Sequence, residues 1–94
     1  MTTPEMFDDL LEQMETLLRN NGEHNWIRGV VAARNCLRAE DPKAFDEARR
    51  VIRDMSSGAG SFSDYYVHHE DFEIRQSLNR PLDELKAAIW KLAY

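Results

Sequence analysis

Between Gly58 and Asp71 the chain sets Ser61, Asp64, Tyr65, Tyr66, His68, His69, Glu70 and Asp71, with two of its three histidines and two of its three tyrosines. These residue types support three chemistries. A metal site would draw on His68, His69, Glu70 and Asp71, with His24 as a distant addition. In an extended segment His68 and Glu70 share a side while His68 and His69 diverge, and in a helix His68 and Asp71 align. No second group of His or Cys stands at ligand spacing elsewhere, and two good ligands do not make a site. No metal and no cofactor is expected.

Nucleophilic catalysis would pair Ser61 with His68 or His69 and a nearby aspartate, the residue types of a triad. The nucleophile-elbow pattern Gly-x-Ser-x-Gly is absent, and Gly58-Ala59-Gly60-Ser61 lacks the lysine and the spacing of a phosphate-binding loop. No catalytic residue is assigned. The third chemistry is recognition. Tyr65 and Tyr66 offer large contact area at low entropic cost, and Asp64, His68, Glu70 and Asp71 supply polar contacts and electrostatic steering. A structural reading of the same residues stands beside it: Phe62 and one tyrosine plug the open end of a bundle, and Asp64 caps a turn.

The elements that position this run are helical. Phe7, Leu10, Leu11, Met14, Leu17 and Leu18 recur at steps of three and four, behind Thr3-Pro4 as cap and first turn and ahead of the stop Asn21-Gly22. Asp8, Asp9, Glu12 and Glu15 point away from that stripe. A second helix is expected from about Asn25, its cap, to Glu40, with Trp26, Val30, Ala33 and Leu37 inward; Ile27, Val31 and Cys36 widen the face and should make this the most buried helix. Gly29 inside it favours a close helix crossing, and Arg28, Arg34 and Arg38 are expected on a solvated edge, salt-bridged to a neighbouring helix. Asp41-Pro42 opens a third helix after a tight turn, with Phe45, Ala48, Ile52 and Met55 inward, and Ser56-Ser57-Gly58 ends it.

Gly58 and Gly60 suit either a helix stop followed by a turn or an anion-binding nest. Ser61 and Asp64 have the spacing of a capping box, so Phe62 to Tyr66 reads as one helical turn, while Tyr65 to His68 reads equally as a short extended piece. Pro81 is tolerated only in a first turn, which puts the start of the last helix near Asn79-Arg80-Pro81. Leu82, Leu85, Ile89 and Leu92 form its stripe, and Asp71 to Leu78 is expected as a separate short helix that Pro81 interrupts. The fold class is therefore all-α: a four-helix, mainly antiparallel bundle in a single domain, with a long structured loop between the third and fourth helices.

Seventeen acidic against twelve basic residues leave a net charge of −5, concentrated near the N-terminus and around the loop. Such a surface repels nucleic acid and anionic lipid and steers a basic partner. No apolar run approaches the ~20 residues that cross a bilayer, the first twenty residues lack the basic start of a signal peptide, and the lone Cys36 excludes an internal disulfide. These features lead to a cytoplasmic expectation.

The motif Gly58-Ala59-Gly60-Ser61-Phe62-Ser63-Asp64, followed by Asn79-x-x-Leu82-x-x-Leu85, resembles a small uncharacterised bacterial helical domain family with a Gly-x-Gly-Ser-apolar-x-Asp loop. The likeness covers mainly residues 58–93 and departs at Tyr65-Tyr66, where an aliphatic pair would be expected. In size and acidity the chain also resembles the immunity proteins that neutralise bacterial toxins. By that analogy it is a protein-binding inhibitor of a basic toxin domain. Two alternatives remain open: a small metal-dependent or hydrolytic enzyme centred on Ser61, His68 and His69, and a homo-oligomeric scaffold, such as a homodimer, using Trp90 and Tyr94.

Overall fold

The stripe of the first helix is the floor of the core: Phe7, Leu11, Met14 and Leu18 are all fully buried. They lie on α1 (Thr3–Asn20), which packs against α2 (Trp26–Arg38) and α4 (Phe72–Ala93), while α3 (Ala44–Ser56) closes the bundle between α2 and α4. A single 3₁₀ turn, Phe62–Asp64, interrupts the connection from α3 to α4. The structure, a computed structural model, describes residues 2–58 and 60–94. It is an all-α, mainly antiparallel four-helix bundle with no strand among the described residues. Among the described residues no helix is long and apolar enough to cross a membrane.

Local chemistry sets the helix ends, in places through neighbours of the expected residues. Thr2, rather than Thr3, caps α1, its Oγ1 accepting the Glu5 N–H at 3.3 Å. Pro4 then falls in the first turn, where a missing N–H leaves no helical bond unmade. At the other end Gly22 takes φ +69°, with Gly22 N–H donating to Arg19 O and Glu23 N–H to Leu18 O, a Schellman stop. Glu23 then turns to α2: its carboxylate accepts the N–H groups of Asn25 (2.6 Å) and Ile27 (2.8 Å). Asn25, expected as the cap, has helical backbone angles and makes no side-chain cap bond, because Glu23 already fills that place.

α2 ends at Arg38, short of Glu40, and only Val30 and Ala33 are fully buried on it. Its burial falls below that of α1, because Trp26 and Leu37, near the two ends of α2, stay half-buried. Gly29 does permit a close crossing: a Cβ there would stand 2.7 Å from Met55 Sδ of α3. Arg34 reaches across to α1 and pairs with Asp8 (2.9 Å), Glu15 (3.1 Å) and Glu12 (3.3 Å), so part of the acidic face of α1 is tied inward to α2. Hydrogen bonds that Arg34 donates to Asp8 and Glu15 raise its pKa against the opposing effect of burial, and those that Glu15 accepts from Arg19 and Arg34 outweigh burial to lower the Glu15 pKa.

The last helix departs most from expectation. α4 starts at Phe72, not at Asn79, and runs unbroken through Pro81. Asp71 is its cap, accepting the Ile74 N–H at 3.0 Å. The fully or nearly fully buried line is Leu82, Lys86, Ile89 and Ala93; it keeps Leu82 and Ile89 of the expected stripe, while Leu85 and Leu92 are half-buried beside it.

Arg53 Nη1 donates to the Ala93 carbonyl at 2.8 Å, and Trp90 Nε1 donates to Ser56 Oγ at 3.0 Å. Three residues forward on α3 thus match three residues back on α4. The two run antiparallel and overlap only near the C-terminal end of α4. At 1.5 Å per residue α4 is about 33 Å long, so its N-terminal half reaches past the end of α3, in a molecule of 46 × 28 × 21 Å.

Candidate functional site: a pinned loop over the free half of the last helix

The connection from Ser57 to Asp71 covers one side of that protruding half of α4. Gly58 and Gly60 take φ of +86° and +74°; Ala59, the centre of the Gly-x-Gly motif, lies outside the described residues. Gly60 N–H donates to Asp64 Oδ2 at 2.6 Å, and backbone bonds from Asp64 to Ser61 and from Tyr65 to Phe62 close the 3₁₀ turn. Asp64 therefore ties the turn to its own entrance. Ser61 makes no cap bond to the turn; its hydroxyl and that of Ser63 are hydrogen-bonded at 2.8 Å.

Phe62 is the wedge. It is 2% exposed, with Trp26 of α2 at 6.0 Å and the stacked ring of Tyr65 at 6.2 Å. Lys86 comes up from α4 beneath it, its Nζ 5.5 Å from the Phe62 ring and 6.0 Å from Trp90. The ammonium donates to the carbonyls of Ser63 and Tyr65, so it satisfies acceptors at the exit of the turn. Burial pushes the Lys86 pKa down from the usual lysine value, against the opposing pull of the Asp83 and Asp64 carboxylates. Tyr65 is half-buried, and burial, with the Glu23 carboxylate adding to it, raises its phenol.

The helical turn stops at Asp64, short of Tyr66; Tyr65 has extended backbone angles, and residues 66–69 belong to no helix or strand. Asn79 of α4 grips this stretch. Its Oδ1 accepts Val67 N–H at 2.7 Å, and its Nδ2 donates to Val67 O and Arg75 O, each at 2.8 Å. An asparagine expected near the start of the last helix thus serves both backbone groups of a loop residue. With side chains alternating along an extended chain, Tyr65 and Val67 pack toward the core while Tyr66 and His68 face outward. Tyr66 is 58% exposed, and its ring meets His68 edge-on at 6.4 Å.

The remaining candidates divide. His69 is half-buried; its Nδ1 accepts the Asp71 N–H at 3.0 Å, and its carbonyl accepts Arg75 Nη1 at 3.3 Å. Asp71 caps α4, and Glu70 is exposed. Among the described residues no hydrogen bond joins Ser61 to either histidine, and no three His, Cys, Asp or Glu side chains gather as a metal-holding group.

Tyr66 also walls a shallow cleft of about 510 Å³, completed by Arg75, Gln76, Asn79, Arg80, Asp83 and Glu84 of α4. Sequence reasoning left these out of the site because it placed the helix start at Asn79. The signal was present: polar residues recur at 75–76, 79–80 and 83–84, one face of a helix that has to begin before Arg75. No family model, curated protein or solved structure matches the chain.

Proposed function

We propose that this chain is a protein-binding module, most concretely an immunity-type inhibitor that meets a basic bacterial toxin domain in the cytoplasm with Tyr66 and His68 above the α4 cleft. The observation that carries the reading is an exposed aromatic side chain on a fixed backbone. Tyr66 stands outside while its neighbours are held, Tyr65 through the Lys86 contact with its carbonyl and Val67 through Asn79. A loop ordered before binding loses little freedom on binding, so more of the contact energy of an anchor appears as affinity.

In this reading the six residues of the binding surface share the work unequally. Tyr66 is the anchor and His68 its edge. Glu70 steers the encounter with a positively charged partner, as do Asp64 and Asp71, whose carboxylates also hold the turn and cap α4. Tyr65 supports the anchor from below. Cells that express a toxin encoded beside this gene should survive when the wild-type chain is co-expressed and lose that protection with Tyr66→Ala. Survival that is the same with and without this chain, for every neighbouring product, would sink the inhibitor reading.

A further inference from the structure

On the other side of the protruding half of α4 a second groove of about 500 Å³ runs between α1 and α4. Its floor is apolar: Leu17 from α1, and Leu78, Pro81 and Leu85 from α4. Residues 78, 81 and 85 fall on the face of α4 opposite the Tyr66 cleft, at steps of three and four. Ile74, one turn earlier on the same stripe, is 46% exposed, so the apolar line continues past the groove into solvent. Nothing in the bundle covers it.

Neutral polar residues, Gln13, Thr16, Asn20, Asn21 and Ser77, surround that floor, and the charge among its lining has one sign: Asp9 and Glu12 line it with no lysine or arginine, and Glu12 also pairs with Arg34 of α2 at 3.3 Å. Ser77 lies on the rim, and Pro81, four residues on, has no N–H to give its carbonyl, which leaves an acceptor that an ordinary helix would use internally. An apolar floor set at helical spacing, edged by carboxylates and a backbone acceptor, fits a short amphipathic helix whose apolar face lies on the leucines and whose lysine or arginine side chains reach Asp9 and Glu12.

From this complementarity we infer that the α1–α4 groove is a docking surface for a basic amphipathic helix of a partner protein, separate from the Tyr66 surface. A second copy of this chain would bring a net charge of −5 toward the carboxylates, and an anionic membrane would likewise meet them with like charge. The inference does not rest on the inhibitor reading.

Titration calorimetry of the full chain with a leucine/lysine amphipathic helical peptide, and with its leucine/glutamate counterpart, tests it. The basic peptide should bind one to one and weaken as salt is raised, and the acidic one should not bind. Leu78→Gln and Ile74→Gln should each weaken binding about tenfold, the scale of a moderate interface truncation. The double variant Asp9→Asn with Glu12→Gln should weaken it several-fold and flatten the salt dependence. Ile74 is exposed, so its substitution keeps the fold even if Leu78→Gln should loosen it. Tyr66→Ala should leave peptide binding unchanged, which separates failure of this surface from failure of the other. Equal binding of both peptides, or binding unaffected by the groove substitutions, overturns the proposal. So does a concentration-dependent dimer abolished by Ile74→Gln, because the occupant would then be a second copy.

Discussion

Lys86 is 5% exposed, and its ammonium hydrogen-bonds to two carbonyls rather than to a carboxylate. A charge held this way is costly, and the cost leaves a pH signature. The folded pKa is depressed below the ordinary lysine value of 10.5, so between the two values the unfolded chain keeps a proton that the folded chain has released. Stability then rises with pH through that window, and below it the full cost of the buried charge remains. Tyr65 acts in the opposite sense and only higher: its raised phenol pKa makes stability fall as pH climbs above 10.0. Urea unfolding from neutral pH up to just below 10 should therefore show stability climbing in the wild type relative to Lys86→Met, in which the slope is lost. Parallel pH profiles would show that Lys86 is solvated. Nothing in the sequence marks this lysine, since a search for apolar stripes passes over it and its aromatic neighbours, Phe62 and Trp90, come from separate segments. The division between Tyr65 and Tyr66 was open for the same kind of reason: alternation along 65–68 has an inside and an outside only once Asn79 and Lys86 fix the strand-like piece against α4.

The helices α1 and α2 were legible almost to their ends, because each carries an apolar stripe bounded by a local stop, such as Gly22 after α1; α3 starts at Ala44 rather than at the expected Asp41-Pro42, because Asp41 Oδ1 accepts the Lys43 N–H in a turn that leaves Pro42 outside the helix. The start of α4 was not legible. Pro81 behind Asn79-Arg80 is a strong local signal for a helix start, and it is overridden by tertiary contacts: Asp71 caps the helix well before it, Asn79 binds the loop, and Leu82 is fully buried just after the proline. The two positions for Pro81 have different energetic consequences. At a first turn, replacing it by alanine would change stability little. In a helix interior proline is roughly 3 kcal/mol worse than alanine, so Pro81→Ala should stabilise the chain by about 1–3 kcal/mol in urea unfolding, after allowance for the extra freedom that alanine gives the unfolded state. No gain at all, or a loss, would mean that α4 is broken at this point.

At the scale of the whole molecule, the acidity read from the sequence is not one uniform surface. Arg34 draws Asp8, Glu12 and Glu15 toward α2, Asp64 and Asp71 are spent on a turn and a cap, and Asp9 with Glu12 edges the α1–α4 groove. The protrusion of α4 beyond α3 organises what is left, because it leaves two faces of α4 that α3 does not cover, the second of them bordered by α1. One is covered by the pinned loop and carries Tyr66; the other keeps its apolar stripe open. Net charge and helix periodicity supply the ingredients of this arrangement, but the stagger depends on long-range pairs such as Arg53 with Ala93 and Trp90 with Ser56, which no local pattern encodes.

The central claim is that one of two adjacent tyrosines holds the loop while the other meets the partner, and melting temperature and partner affinity measured on the same two variants test it most directly. Tyr66→Ala should melt within about 2 °C of the wild type, as an exposed truncation does, and lose at least ~2 kcal/mol of affinity for the partner identified by co-expression, the usual threshold of a hot spot. Tyr65→Ala should melt markedly earlier through lost packing on Phe62, with its folded fraction still binding. If instead Tyr66→Ala keeps full affinity while Tyr65→Ala abolishes it without changing the melting temperature, the assignment of support and anchor is wrong.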